Sequence, residues 1–255
     1  MTEWTSMSEK SSGAQNQQAW SGEEFQENLR KRVTQYHTEH SFHQAMINGE
    51  LSKYQIQSWV QNRYYYQITI PRKDAAILAN CPDQDFRRQW IKRLYEQDGG
   101  EQGEGGLEGW IRLGEACGLK RNEITSLKGV FPGVRFACDA YLNFAKQAPW
   151  QEAVCSSLTE LFAHKAHQDR IESFPKYYPW IEAEGLGYFK SRIKLVQIDV
   201  KHGLQITLDY FNTRALQERA LDILGFKLDI LWSILDTVQI NVGIASEDAH
   251  EPVLQ

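Results

Sequence analysis

Apolar residues recur every three or four positions along most of the chain, and no stretch of comparable strength alternates with the two-residue period of a strand. Ser21 followed by Glu24 reads as a capping box, after which Phe25, Leu29 and Val33 form a helical stripe. Ser52 caps the next helix, with Ile56, Trp59, Val60 and Tyr64 at helical spacing and Arg63 and Gln67 beside them. Pro71 is expected to break or kink it before DAAILANC resumes. Phe86, Trp90, Ile91 and Leu94 define another helix, which stops at Asp98-Gly99-Gly100. The loop GGEQGEGG is the most flexible interior stretch, and Leu107, Trp110 and Leu113 restart a helix that Gly118 ends. Pro132-Gly133 separates a turn from VRFACDAYLNFAKQA. Residues 156 to 192 form two helix-like segments around a Pro/Tyr-rich turn, the second continuing to about Phe211. The last helix begins near Thr213 and carries Leu216, Ala220, Ile223, Leu224, Leu228, Leu231, Ile234, Leu235 and Val238. The pattern predicts an all-α fold, a compact single-domain helical bundle of about seven to ten helices. The helical domain spans 22–242, between a disordered polar tail over 1–21 and a flexible tail over 243–255.

Composition narrows the function. With 255 residues, 42% of them apolar and 24% charged, the chain can bury one full core. Eight Trp, eleven Tyr and eleven Phe supply large rings for that core or for a pocket that takes a flat ligand. A net charge of −5 with no basic run argues against a nucleic-acid partner. Cys81, Cys117, Cys138 and Cys155 form no C-x-x-C pair and read as reduced core thiols of a cytoplasmic protein. The N-terminus has no apolar core of a secretory signal. LDILGFKLDILWSIL is broken by Asp222, Lys227 and Asp229, so no membrane span is expected.

The candidate chemistry lies in polar groups placed on apolar faces. Glu160, His164 and His167 fall at i, i+4 and i+7 of one segment. Tyr188, Arg192, Asp199 and His202 share a face of the next, with Leu195 between them. YHTEHSFH, residues 36 to 43, adds three histidines. Lys227 sits on the apolar stripe of the last helix, either snorkelling from its edge or aiming an ammonium into a cavity. Arg63 with Gln67 and Arg93 with Gln97 repeat an i, i+4 pattern that alone reads as a solvated face. Taken together, Arg63, Lys73, Arg93, Arg170, Arg192 and Lys227 exceed what Glu160 and Asp199 can neutralise. A polycarboxylate ligand would supply the remaining counter-charge through bidentate arginine contacts. Glu160, His164, His167, Asp199 and His202 also have the residue types of a carboxylate/histidine iron site. Paired Glu-x-x-His elements are absent, however, and Leu195 stands four positions before Asp199, so no metal is expected. No G-x-S-x-G or phosphate-binding loop is present.

The stretches QIQSWVQNRYYYQITIPRKDAAILANCPD, FPGVRFACDAYLNFA, SSLTELFA followed by HQDR, and LGFKLDILWSILD resemble the pyrroloquinoline-quinone synthase family from about Phe25 to Val238. The resemblance implies a haem-oxygenase-like helical fold and a homodimer. It implies a reaction: ring closure and multi-electron oxidation by O2 of a polycarboxylate quinone precursor to pyrroloquinoline quinone (PQQ), with hydrogen peroxide formed and no metal or organic cofactor. It places the pocket on Tyr36 and His37, Arg63 and Gln67, Lys73, Arg93, Tyr141, Thr159 and Glu160. The pocket continues with His167 and Arg170, Tyr188 and Arg192, and Lys227. Of these we expect catalytic work from His37, His167, Tyr188 and Arg192, together with Gln97, and we expect Tyr188 and Arg192 to close over the ring on a hinge at Gly185 and Gly187. One departure bears on the chemistry. The family's DHDG histidine is Gln97 here, in EQDG, and an amide carries no proton at neutral pH. Gln97 therefore either positions substrate while His37, His167 or Tyr188 moves protons, or leaves a quinone-binding protein weakened in catalysis. A third reading is an iron-dependent oxygenase of related architecture. His164-Lys165-Ala166 also stands where the family has a proline-led PQI.

Overall fold

The computed structural model describes residues 17–101 and 103–243, with the backbone alone over 194–200. The expected tails therefore lie outside the described residues, apart from 17–21 and Gly243.

Helix α1 (Gly22–Lys31) starts at the expected box: Ser21 Oγ accepts from the Glu24 amide at 3.2 Å, and the Glu24 carboxylate accepts from the Ser21 amide at 2.8 Å. It stops at Lys31, so Val33 lies on a 3₁₀ turn and is exposed instead of extending the stripe. A second 3₁₀ turn (His37–Glu39) leads into α2 (Ser41–Asn48), whose cap is a histidine: His40 Nδ1 accepts from the Phe42 amide at 3.0 Å. Residues 17–21 run beside the last helix, where Trp20 exchanges two hydrogen bonds with the Gln217 amide, at 2.8 and 3.0 Å.

The axis of the fold is α3 (Lys53–Asn80), begun by the Ser52/Gln55 capping box. It runs through Pro71 with no break. A proline inside a helix costs roughly 3 kcal/mol, but this helix is enclosed by neighbours. Tyr64, Tyr65, Tyr66 and Gln67 are buried in succession, which places protein on every side. Packing along its whole length outweighs the one missing hydrogen bond.

The stripe from Phe86 to Leu94 is two helices, α4 (Gln84–Trp90) and α5 (Lys92–Asp98), parted at an exposed Ile91. The break turns Arg93 and Gln97 inward. After α6 (Gly105–Ala116) and α7 (Arg121–Thr125), α8 (Pro132–Gln147) begins on Pro132 itself. Its missing amide costs nothing at a first-turn position, so Pro132-Gly133 starts the helix and is not a separating turn. Then follow α9 (Trp150–Cys155), α10 (Glu160–Tyr177), a 3₁₀ turn (Ala183–Leu186), α11 (Gly187–Tyr210) and α12 (Arg214–Val242), the last capped by Thr213 as expected. No strand is present among the described residues.

Helix α3 packs on α6, α8 and α12, and α10 packs on α11, around one main apolar core. A smaller cluster gathers Ile77, Cys81, Phe86 and Trp90. All four cysteines are free and buried, as their spacing predicts. No helix among the described residues is long and apolar enough to cross a membrane.

Candidate active site

A cavity of about 100 Å³ opens among the helices of the bundle. Each wall comes from a different element. The turn after α1 gives Tyr36 and His37; α3 gives Arg63, Tyr66, Gln67, Lys73 and Asp74; α5 gives Arg93, Glu96 and Gln97. Trp110 of α6, Tyr141 of α8, and Thr159, Glu160, His167 and Arg170 at and along α10 face the same space, as do Tyr188 and Arg192 from α11. Of the residues singled out in the sequence for the pocket, Lys227 alone is set back from the surface. It lies behind Tyr66 and Tyr141, its Nζ 2.8 Å from the Tyr66 hydroxyl and 3.5 Å from the centre of the Tyr141 ring. With 1% of its surface exposed it does not snorkel.

The charges divide into two sets. Lys73 Nζ donates to Asp74 Oδ1 at 2.6 Å and to Ser157 Oγ at 2.8 Å, and Trp90 Nε1 donates to the same carboxylate at 2.9 Å. Arg93 reaches Asp74 at 3.5 Å and forks onto Glu160, one arm at 3.1 Å. Lys73 and Arg93 are thus balanced by Asp74 and Glu160. Asp74 is the counter-ion that sequence reasoning missed; its position next to Lys73 in a helix gives no sign that both side chains turn inward. Arg63, Arg170, Arg192 and Lys227 form the other set. Among the described residues none of these four has a carboxylate at ion-pairing distance. Arg63 lies 4.0 Å from the Tyr66 ring, and Arg192 Nη2 donates to Gln97 Oε1 at 3.0 Å and to the Glu96 carbonyl at 3.2 Å. Burial and the nearby Arg63 hold the Lys227 amine well below its ordinary value and bring Arg170 down to about 10. Burial pushes the Glu96 carboxyl up.

The same surroundings act on the imidazoles. Burial, then Arg63 and Arg170, holds His37 well below its ordinary value; burial, then Arg170 and Arg192, does so for His167. Both rings are neutral at pH 7, and the Nδ1 of each is buried without a hydrogen-bond partner. Each Nδ1 thus stands without a protein partner, and the tautomer decides whether it offers a lone pair or an N–H to a ligand. Burial likewise lifts the Tyr36 phenol to about 12, so it stays protonated. Opposite, the Tyr188 hydroxyl donates to Gln67 Oε1 at 3.0 Å. A third imidazole, His43, sits behind His37 with the rings 6.1 Å apart, and burial brings it down to about 4.

These shifts carry a stability prediction. The unfolded chain protonates its histidines near their ordinary value of about 6.5, whereas the folded chain keeps His37, His43 and His167 neutral to lower pH. Stability from these rings is fully present above about pH 6.5 and is lost as pH falls below it, by up to about 1.4 kcal/mol per unit for each ring. For His43 the window closes at about 4. Urea midpoints of the ligand-free protein should drop between pH 7 and pH 5; constant midpoints would contradict the burial of neutral imidazoles.

Gly106 fits the site together. A Cβ at this position would overlap Arg192 Nη2 outright and come within 2.8 Å of Gln97 Oε1, so the guanidinium crosses the space a side chain would fill. No local pattern marks this glycine, because the contact is made across the fold. Gly185, expected as a hinge, has a packing reason instead: a Cβ there would stand 2.5 Å from the Ala116 Cβ on α6. Gly187 has a helical φ of −54°, and Tyr188 and Arg192 are already buried.

The iron-site residues do not converge. His164 is exposed, and His202 packs on Phe86 and Trp90, at 5.6 and 5.9 Å between ring centres. The Asp199 side chain lies outside the described residues. Among the described residues no group of three His, Cys, Asp or Glu side chains is placed to hold a metal.

The helical bundle encloses cations, neutral imidazoles and tyrosines around one cavity, and its fold is of the haem-oxygenase-like class. Its backbone superposes with a TM-score of 0.72 on a domain of unknown function with that fold from Shewanella denitrificans OS217, 11% identical, covering 88% of this chain and 94% of that one. A TenA homologue from Pseudomonas syringae pv. tomato superposes at 0.64, 12% identical, over 87% of this chain and 98% of its own. The chain belongs to the TENA/THI-4/PQQC family, whose profile matches residues 26–237. A pyrroloquinoline-quinone synthase of Pseudomonas aeruginosa is 55% identical over 89% of this chain and 91% of its own length. One of Cronobacter sakazakii is 56% identical over 85% and 86%.

Proposed function

We propose that this protein is a pyrroloquinoline-quinone synthase: an O2-dependent oxidase that closes the ring of a polycarboxylate quinone precursor and oxidises it to PQQ. The observation that carries this is the imbalance at the cavity. The buried Arg170 and Arg192 and the half-buried Arg63 face, and the buried Lys227 stands just behind, a space that also presents two neutral imidazoles, and among the described residues none of the four has a carboxylate at ion-pairing distance. An apo protein bears the cost of such cations only where a ligand supplies the anions, and bidentate guanidinium contacts suit carboxylates best.

In this reading Arg63, Arg170 and Arg192 bind substrate carboxylates, Lys227 acts through Tyr66, and the Lys73–Asp74–Arg93–Glu160 network fixes the opposite wall. Tyr36, Gln67, Tyr141 and Thr159 orient the flat ring. His37 or His167 takes carbon-bound protons at its free Nδ1, and the cations stabilise the negative charge that develops. The electron-rich quinol then passes two electrons and two protons to O2 in each oxidation step, forming hydrogen peroxide. Trp110 and Tyr188, whose ring centres lie 4.9 Å apart, exclude water. The substrate carries the redox chemistry, and no metal or organic cofactor takes part. The protein works as a cytoplasmic homodimer.

Mixing purified protein with the precursor in air, with and without a chelator, tests the proposal by the appearance of PQQ absorbance. Chelator-insensitive formation in a single turnover is expected. A protein that binds the precursor but never oxidises it would instead be a quinone carrier, and loss of activity on chelation would bring back the iron reading. Gln97 sets the rate but does not abolish it. Gln97→His adds a titrating group beside Arg192 and is expected to raise the single-turnover rate by about tenfold or more, within the span of general acid–base help. An unchanged rate would assign the proton work to His37 and His167 alone.

A further inference from the structure

His43 and Asp169 stand outside the cavity wall yet touch its machinery. Arg170 is buried, and its Nη2 lies 3.3 Å from His43 Nδ1. A guanidinium can only donate, so His43 Nδ1 must present its lone pair. The one proton of the neutral ring then sits on Nε2, which faces Asp169 Oδ2 at 3.8 Å. Asp169 is itself tied at the surface to Lys165 Nζ at 2.8 Å. Helix α2 thus inserts a fully buried imidazole between a cavity arginine and a carboxylate nearer to solvent.

We infer that His43, oriented by Asp169, is a positioning residue that fixes the Arg170 guanidinium for a ligand carboxylate without cancelling its charge. The chemistry explains why an imidazole stands here. A carboxylate at the same place would pair with Arg170 and leave it nothing to offer an anion. A neutral acceptor sets the angle of the fork and leaves the positive charge intact. The long His43–Asp169 separation keeps the acid from neutralising Arg170 while its field holds the Nε2–H tautomer. No sequence motif marks the arrangement, since His43 and Arg170 are 127 residues apart.

The inference rests on the carboxylate-binding reading of the cavity, and its test separates the two. His43→Asn keeps an acceptor at the place of Nδ1, whereas His43→Leu removes it. Equilibrium titration with PQQ is expected to show His43→Leu weakened on the order of tenfold, as for loss of one buried hydrogen bond that orients a charge. His43→Asn should stay within about threefold of wild type, a difference of under 1 kcal/mol. In an Arg170→Ala background His43→Leu should weaken binding no further, because its effect passes through the missing guanidinium. Wild-type affinity in His43→Leu, or the same loss with and without Arg170, would overturn the inference and leave His43 a core residue. Nitrogen NMR of the histidine side chains reads the tautomer with no ligand present, and so decides the matter even if the leucine variant does not fold. An unprotonated Nδ1 on His43 at pH 7 is the expected result, and a protonated one would refute the arrangement. Failure of the wild type to bind PQQ, with the tautomer as expected, would count against the proposed function and leave the Arg170–His43–Asp169 geometry standing.

Discussion

Gly106→Ala is expected to lower turnover by about a hundredfold or more, the scale of losing one preorganised charge donor, while the protein stays folded. The added Cβ occupies the path of the Arg192 guanidinium, lying 2.9 Å from its Cζ as well as overlapping Nη2. Arg192 is the end of a flexible chain and can swing away at little cost. Alanine in place of glycine inside α6 offsets part of that cost through helix propensity, by up to about 1 kcal/mol. The guanidinium then leaves Gln97 and the Glu96 carbonyl, the contacts that hold it over the cavity. Steady-state kinetics beside urea unfolding will show the split: a large fall in kcat/KM with an unfolding free energy within about 1 kcal/mol of wild type. Wild-type turnover in this variant would mean that Arg192 does its work from elsewhere, or does none.

Arg63→Ala, on helix α3, separates binding from stability in the same way. Arg63 is among the charges that lower Lys227, Arg170, His37 and His167, so it stands at the centre of mutual repulsion in the empty cavity. Removing it relieves that repulsion and loses one stacking contact with Tyr66, worth roughly 0.5–2 kcal/mol. The ligand-free variant is therefore expected to unfold within about 1 kcal/mol of wild type. Affinity for PQQ should fall by at least about a hundredfold, as for truncation of one partner of a buried charge-assisted contact. Thermal shifts with and without PQQ make the comparison directly: wild type gains a large shift, the variant little. Equal damage to folding and binding would show that Arg63 is structural and remove the electrostatic basis of the proposal.

Part of this cavity wall was legible because helical spacing put polar residues on otherwise apolar faces, and the rest was expected from the family resemblance. Lys227 shows this in part: the lysine on the apolar stripe does not snorkel, but it stands behind Tyr66 and Tyr141 instead of entering the cavity. Glu160 and His167 share a face as spacing required, and both meet the cavity. His164 does not, because the buried arc of α10 runs from Glu160 through His167 to Arg170, and His164 falls on the other side of Glu160. The residues that escaped notice are those whose meaning is tertiary. Asp74 balances two cations brought from α3 and α5, and Gly106 clears space for an arginine of α11; the sequence marks His43 only as one of three histidines in YHTEHSFH, with nothing to show that it meets Arg170 from another helix. Pro71 misleads in the same way: local propensity disfavours it, and the enclosure of α3 overrides that preference.

A crystal structure of the protein with PQQ bound measures the central claim most directly. The account predicts one ligand in the cavity, its carboxylates within hydrogen-bond reach of Arg63, Arg170 and Arg192 and its ring between Tyr188 and the imidazoles of His37 and His167. A ligand seated elsewhere, or those arginines turned onto protein carboxylates while PQQ lies among neutral side chains, would contradict it.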